Sequence, residues 1–241
     1  MTRATTSSTW ALWKRSRHSR RSRSSTTPAA TGRSARERVP AAHLVVYSDY
    51  LCPWCYNAAV RLKRIHEEFA PSVRLEWRSF LLRPRPAPGR DLERFRSYTE
   101  SWLRPAAEPD AGTFQVWQGD AEPPTHSVPP HLVAKAAALL GEESFERIHE
   151  ALLRAYFAES RDITDEATLR ALWEEAGLAP GEFARTQDPE VLRRVLGQHD
   201  EAIELGVTGV PTVVLEGTGA LILGAQPLDV YRRWIRRVTE A

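Results

Sequence analysis

The pattern of apolar and polar positions predicts a β-α-β unit over residues 43–82. The run HLVVYS at its start is apolar and rich in β-branched and aromatic residues, which indicates a buried strand. Apolar residues then recur at helical spacing from Cys55 to Phe69, and Pro71 ends that pattern. The segment VRLEWRSFL alternates with a period of two, as a second strand does. Two strands joined through one helix indicate parallel pairing by a right-handed crossover.

Residues 83–206 are predicted to be a Pro-rich loop followed by a helical insertion. The loop, residues 83–130, holds nine of the seventeen prolines. Its aromatic residues are expected to anchor it to the body, with a substrate-facing surface as the alternative; they are Phe95, Tyr98, Trp102, Phe114 and Trp117. Amphipathic helices are predicted from His131, from a cap at Ser144, from Thr164 and from Asp188. In the last of these, the residues expected to face inward are Leu192, Val195, Leu196 and Ile203.

The chain returns to β structure in residues 207–241. PTVVLE and ALIL are two short apolar runs joined across a Gly-Thr-Gly turn, which predicts a hairpin. Pro227 opens a final helix with Tyr231, Trp234, Ile235 and Val238 on one face. The element order is therefore β-α-β, helical insertion, β-β-α, which defines an α/β fold.

Charge separates residues 1–40 from the rest of the chain. They carry ten Lys or Arg and one acidic residue, which leaves 23 basic and 30 acidic residues in the remainder. This Ser/Thr/Arg-rich segment lacks apolar periodicity, so it is predicted to be a disordered basic leader before a domain at 41–241. We interpret it as a solvated tail or as the product of a start codon assigned too far upstream. A nucleic-acid partner is disfavoured because no folded basic motif lies beside it. The pair Arg20-Arg21 lacks the apolar segment that an export signal needs.

The hydrophobic fraction of 42% supports a packed core. No apolar run approaches the roughly 20 residues that span a bilayer, so a soluble protein without a membrane partner is expected. Without a working export signal, the expected compartment is the cytoplasm, where disulfides are more often reduced, isomerised or sensed than installed.

Candidate chemistry lies in the sequence CPWC. Cys52 and Cys55 are the only cysteines of the chain, and Pro53 stands at the first position of the predicted helix. A cysteine at a helix N-terminus faces unsatisfied N–H groups and the positive end of the helix dipole, which favour the thiolate. The second cysteine lies one turn away, so the pair can close to a disulfide. Trp54 is expected to shield and shape the surface around Cys52.

Structural interpretations of the cysteine pair are less favourable. A structural zinc ion needs about four ligands, and the histidines are scattered singly, so no metal is expected. A static disulfide across three residues would constrain little loop entropy. Inert buried thiols are disfavoured because a helix N-terminus is where reactive cysteines are found.

The dipeptide Val210-Pro211 is the second chemical feature. A proline at the start of a strand can be cis and leave the preceding backbone free to pair with a bound peptide. With the CPWC motif, this chain resembles the DsbA-like branch of the thioredoxin superfamily, and more narrowly the FrnE-type oxidoreductases. The residues that carry the resemblance are SDYLCPWCYNAA and TGVPTVVLEG, within a similarity over residues 43–239.

The resemblance implies a thioredoxin fold interrupted by a helical domain. It implies Cys52 as nucleophile, Cys55 as resolving thiol and Pro211 as the cis-proline facing them. The cofactor is then the redox-active dithiol itself, with glutathione as a possible co-substrate and protein or small thiols as partners. Asp49 is either a buried carboxylate that exchanges a proton with Cys55 or a turn residue. Alternatives are a glutathione-dependent 2-hydroxychromene-2-carboxylate isomerase and a non-catalytic binding module.

Overall fold

The protein is represented by a computed structural model that describes residues 42–87, 91–120 and 122–239. The predicted leader lies outside the described residues. The strands are β1 Ala42–Ser48, β2 Val73–Ser79, β3 Thr212–Leu215 and β4 Leu221–Leu223. The helices are α1 Pro53–Phe69, α2 Leu92–Thr99, α3 Leu103–Ala106, α4 Val128–Ala138, α5 Glu142–Phe157, α6 Glu166–Glu175, α7 Pro189–Glu204 and α8 Leu228–Thr239. Short 3-10 helices occupy Glu100–Trp102 and Pro180–Gln187. The predicted order of elements is confirmed.

The four strands form one mixed sheet in the order β2-β1-β3-β4. Strand β1 runs parallel to β2 and antiparallel to β3, so that Val46 is paired with Trp77 on one side and Val213 on the other. The hairpin β3-β4 closes the sheet at the opposite edge from β2. Both predicted connections, the parallel crossover through α1 and the C-terminal hairpin, are therefore present.

Both faces of the central strand are buried, which explains its unbroken apolar sequence. Leu44 and Val46 belong to a core that α1 and α8 share with the sheet, and Tyr231 and Ile235 fill it from α8 as predicted. Neighbouring side chains of a strand point to opposite faces. Val45 and Tyr47 accordingly belong to a separate cluster, which includes Phe80 and residues Ala202 and Val207 at the end of α7.

The aromatic residues of the Pro-rich loop mostly anchor it, as expected. Phe95, Trp102 and Trp117 are each 1% exposed and belong to the large core of the helical insertion. Phe114 packs against the same core while partly buried. Tyr98 differs, because 47% of it is exposed. The loop is thus held by three buried rings, and Tyr98 is the exception to the prediction.

The predicted helix starts at Thr164 and Pro227 lie within two residues of the observed ones, Glu166 and Leu228, whereas two other starts differ by about one turn. Helix α4 begins at Val128, before His131, because the first turn needs no N–H donors and accommodates Pro129 and Pro130. Helix α5 begins at Glu142, so Ser144 lies inside it and does not cap it. The residue at the cap position is Gly141, whose φ of 126° is readily reached only by glycine.

The predicted inward face of α7 is wrong for three of its four residues. Leu192, Leu196 and Ile203 are exposed, whereas Val195 is buried as expected. The buried face is completed by Val191, Gln198 and Ala202. Gln198 turns inward because its side-chain oxygen accepts a hydrogen bond of 3.0 Å from the backbone N–H of Ser79, at the end of β2. A polar contact with the sheet therefore sets the orientation of this helix.

A fully buried arginine links α1 to two distant segments. Arg61 donates to the carbonyl oxygens of Ala225 and Gln226 at 3.0 Å each, and to that of Pro109 at 2.7 Å. Glu108 lies 3.7 Å from the same guanidinium. Because a buried charge is costly without partners, these contacts fix the loop before α8 and the Pro-rich segment to the cysteine-bearing helix.

Replacing Arg61 by leucine is expected to lower the free energy of unfolding by about 3 kcal/mol, since three carbonyl groups lose their hydrogen bonds to a buried, charged donor. The matched control is Arg64→Leu on the same helix, an exposed arginine paired with Asp110. It should cost less than about 1 kcal/mol. Urea unfolding followed by tryptophan fluorescence measures both, and equal losses would contradict the structural role of Arg61.

Candidate active site

Cys52 immediately precedes α1 and has extended backbone geometry, with φ −99° and ψ 112°. Pro53 occupies the first helical position, where its missing N–H costs nothing. The Cys52 thiol donates to the carbonyl oxygen of Val210, with Sγ and O 3.4 Å apart. The residue keeps 6% of its surface exposed. Cys52 is therefore the N-cap residue of α1.

Cys55 lies one turn into α1 and is fully buried. Its backbone N–H donates to the Cys52 carbonyl at 3.0 Å. Burial raises the pKa of the Cys55 thiol, and the adjoining Cys52 raises it further, while hydrogen bonds from the Asp49 backbone and the Ser48 side chain act in the opposite direction. Both cysteines are free thiols in this structure. The two cysteines therefore differ: Cys52 keeps a small exposed fraction, whereas Cys55 has none and its raised pKa keeps it protonated.

Val210 and Pro211 lie against the cysteines from the start of β3. The peptide bond between them is cis, and Pro211 is buried directly before the first strand residue, Thr212. The Pro211 carbonyl accepts a hydrogen bond of 2.8 Å from Gly224, which fixes the turn against the loop that follows β4. Sequence residues 158 positions apart are thus brought together at Cys52.

Trp54, which stands between the two cysteines in the sequence, is half-buried. The guanidinium carbon of Arg104, in α3, lies over its ring at 6.0 Å from the centroid. The Pro-rich segment therefore reaches the CPWC motif, through the exposed side chain of Arg104.

Asp49 is completely buried behind Cys52. One carboxylate oxygen accepts from the Leu51 N–H at 2.6 Å, and the other from the Leu82 N–H at 2.7 Å. Burial raises the pKa of Asp49 to about 6, against the opposing effects of hydrogen bonds from Ser127, Leu51 and Leu82. Asp49 therefore combines the geometry of a turn residue with the titration of a buried carboxylate.

Sequence reasoning did not identify Ser127, Leu82 and Arg83 as neighbours of Asp49. Ser127 Oγ accepts from the Arg83 N–H at 3.1 Å, and the Ser127 N–H donates back to the Arg83 carbonyl at 2.8 Å. These contacts join the two ends of the Pro-rich loop beside the site. Only the position of the loop between predicted elements could have suggested these contacts, because none of the three residues belongs to a motif.

Tyr50 lies in the short segment between β1 and Cys52 and connects that segment to the helical insertion. Its hydroxyl and the Nδ1 atom of His149 are 2.8 Å apart, and its ring meets the edge of His131. Burial, and then the charge of Lys135, lower the pKa of His149 to about 3. A neutral imidazole in α5 therefore holds the segment that leads into Cys52.

Other candidate sites in the described part of the chain lie away from the cysteines. A cavity of about 330 Å³ is bordered by α1, β2 and α5, and none of its lining residues belongs to 49–55 or 210–211. His66, Glu142 and Glu146 place potential ligand atoms within 4.8 Å of one another, and neither cysteine is part of this group. Within the described ranges, no helix is long and apolar enough to cross a membrane.

The sequence and fold are similar to those of known proteins. A family model for the DSBA-like thioredoxin domain matches residues 43–236. Protein YwbO of Bacillus subtilis is 28% identical over 200 residues, which cover 80% of this chain and 95% of YwbO. A probable DsbA oxidoreductase from Streptomyces coelicolor is 26% identical, with a TM-score of 0.66 and coverage of 82% of this chain and 89% of that one.

Two further structures share the fold. The cytosolic disulfide reductase DsbM from Pseudomonas aeruginosa, in its structure with GSH, has a TM-score of 0.68 at 21% identity and covers 83% of this chain and 100% of its own. A 2-hydroxychromene-2-carboxylate isomerase has a TM-score of 0.56 at 18% identity, covering 81% and 95% respectively. The fold is therefore the thioredoxin fold with a helical insertion, as the sequence predicted. This chain belongs to the DSBA-like thioredoxin domain family.

The raised pKa of Asp49 predicts a specific dependence of stability on pH. The folded protein binds the Asp49 proton more tightly than the unfolded chain, so stability falls as the pH rises from 3.8 to about 6. The expected contribution is about 2 to 3 kcal/mol. Asp49→Asn should flatten this part of the profile, whereas Asp200→Asn, at an exposed position, should not.

Urea unfolding at a series of pH values between 4 and 7 measures both variants. Each profile is compared with that of the wild type, so that the titration of other groups cancels. Identical slopes for the wild type and Asp49→Asn would contradict a raised pKa.

Proposed function

We propose that this protein is a thiol-disulfide oxidoreductase in which Cys52 is the nucleophile and Cys55 the resolving thiol. The observation that carries the proposal is the difference between the two sulfurs. Cys52 stands at a helix N-terminus and keeps 6% of its surface exposed, whereas Cys55 is fully buried and its pKa is raised. A dithiol needs this division, because one sulfur must meet the substrate and the other must wait for the intermediate.

The first step is attack of the Cys52 thiolate on a substrate disulfide. A bond forms between Cys52 Sγ and one substrate sulfur, and the second substrate sulfur leaves as a thiolate. The N–H groups at the start of α1 favour negative charge at Cys52 before the attack. Val210 and Pro211 form the facing wall, and the Val210 carbonyl oxygen is the backbone group in contact with Cys52 Sγ.

The second step is attack of Cys55 on the mixed disulfide. Cys55 loses its proton, its sulfur bonds to Cys52 Sγ, and the remaining substrate sulfur leaves as a thiolate. The substrate gains two electrons and the protein becomes a disulfide. We assign proton acceptance to Asp49, because it is a fully buried carboxylate three residues before Cys52 and its pKa of about 6 leaves it mostly ionised at neutral pH.

Pro53 and Trp54 are proposed to tune the dithiol. Pro53 fixes the start of α1, and the half-buried Trp54 covers part of the surface between the cysteines. The proposed partners are protein or low-molecular-weight thiols and disulfides, including glutathione. The structure of DsbM with GSH, a protein of the same fold, supports a small thiol as a partner.

We further propose a cytoplasmic location and a reducing direction. The cytosolic disulfide reductase DsbM shares the fold, and a reducing compartment keeps a pair such as Cys52 and Cys55 as thiols. A glutathione-dependent isomerase or a binding module would use the same fold without any need for Cys55. The redox behaviour of the pair therefore discriminates among the three functions.

Single-cysteine variants test the assigned roles. After incubation with oxidised glutathione, Cys55→Ser is expected to accumulate a stable glutathione adduct on Cys52, since the resolving thiol is gone. Cys52→Ser should form at least tenfold less adduct, because Cys55 is buried. Intact-protein mass spectrometry after acid quenching measures both.

The wild type provides the reference. It is expected to form an internal disulfide and to equilibrate reversibly with glutathione buffers. A wild type that stays reduced in oxidising buffer would overturn the proposed function. Preferential adduct formation by Cys52→Ser would instead reverse the roles of the two cysteines.

A further inference from the structure

Arg104 carries an uncompensated positive charge beside the CPWC motif. Its guanidinium lies over Trp54, 6.0 Å from the ring centroid, and its residue is exposed. Within the described residues, no carboxylate lies within ion-pairing distance of this guanidinium. Many other arginines of the described surface are paired, including Arg64, Arg78 and Arg96. The charge of Arg104 is therefore available to a ligand at the cysteine site.

Helix α1 also fixes the backbone next to Arg104. Asn57 is fully buried two residues after Cys55, and its side-chain nitrogen donates to the Pro105 carbonyl at 2.9 Å. The Asn57 side-chain oxygen accepts from the Gly112 N–H, also at 2.9 Å. The segment around Arg104 is thus attached to the helix that carries both cysteines, so the backbone from which this side chain extends is held beside them.

A second arginine adjoins the site through Asp49. Arg83 is half-buried and bonded through its backbone to Ser127, and its positive charge acts on the Asp49 carboxyl. Like Arg104, it has no ion-pair partner among the described residues. The carboxyl group between the two arginine-bearing segments is buried, so it does not present a negative charge at the surface.

The remainder of the chain has the opposite charge. Residues 41–241 contain 23 basic and 30 acidic residues, for a net charge of −7. A negative protein repels anions in general, so the unpaired guanidinium of Arg104 gives the cysteine site a local preference of its own, whereas the charge of Arg83 is partly balanced by the Asp49 carboxylate. The arrangement favours an anion there and disfavours a cation.

We propose that the substrates of the Cys52–Cys55 pair are anionic low-molecular-weight disulfides or thiols, with carboxylate groups near the sulfur, and that Arg104 is a residue that determines this specificity. The inference rests on the proposed disulfide exchange. The reaction is the exchange given above: the dithiol is oxidised to a disulfide, and the anionic disulfide is reduced to two thiols.

Three symmetric disulfides of different charge provide the test. The reduced full-length protein is mixed with dithiodiglycolate, which is anionic, with bis(hydroxyethyl) disulfide, which is neutral, or with cystamine, which is cationic. Stopped-flow tryptophan fluorescence gives the second-order rate constant for oxidation of the protein. Each constant is divided by that of dithiothreitol with the same disulfide, which removes differences in intrinsic reactivity.

At about 20 mM ionic strength, Arg104→Gln is expected to lower the anionic-to-neutral rate ratio about two- to fourfold and to raise the cationic-to-neutral ratio. Both changes should shrink at about 0.5 M salt, because exposed charges are then screened. Arg94→Gln removes an equally exposed, unpaired arginine from α2 and should leave all three ratios unchanged. Arg83→Gln together with Arg104→Gln should extend the loss.

The outcomes separate the two levels of the proposal. If none of the disulfides oxidises the wild type, the proposed function itself fails. If all three oxidise it and Arg104→Gln alters the ratios no more than Arg94→Gln does, disulfide exchange stands and the specificity assigned to Arg104 is wrong. A change that is the same for all three charges would indicate a structural effect and would likewise overturn the inference.

Discussion

Strand β1 is the constraint on which the rest of the structure depends. It lies between a parallel and an antiparallel neighbour, and both of its faces are covered by helices. Its carboxyl end leads into the loop that holds Asp49 and Cys52, while the antiparallel β3 starts beside that same end with Pro211. The sheet therefore brings two remote parts of the sequence to one point. The same strand therefore provides the centre of the core and sets the position of Cys52.

The chemistry of the site follows from unequal access to water. Cys52 sits where helix N–H groups are unsatisfied, and Cys55 sits where solvent is excluded. Asp49 shares the excluded environment, which makes ionisation costly and moves its pKa toward neutrality. Burial thus raises the pKa of both Asp49 and Cys55, whereas Cys52 keeps a small exposed fraction.

Elements with a strong local signal could be predicted from the sequence. The β-α-β start, the C-terminal hairpin and the buried face of α8 follow from periodicity and turn residues, and they match the structure. The orientation of α7 could not be predicted, because it depends on Gln198 meeting a backbone N–H of β2. The surroundings of Asp49 were equally hidden, since Ser127 and Leu82 approach it only through the path of the Pro-rich loop.

Asn57 and Arg61 form hydrogen bonds with main-chain atoms of the Pro-rich segment. Their partners are the carbonyl groups of Pro105 and Pro109 and the N–H of Gly112. These hydrogen bonds do not depend on which side chains the segment carries. Exposed residues there, Arg104 among them, can therefore be exchanged during evolution without loss of the attachment. The surface beside the cysteines can consequently change its charge while the backbone framework around them stays the same.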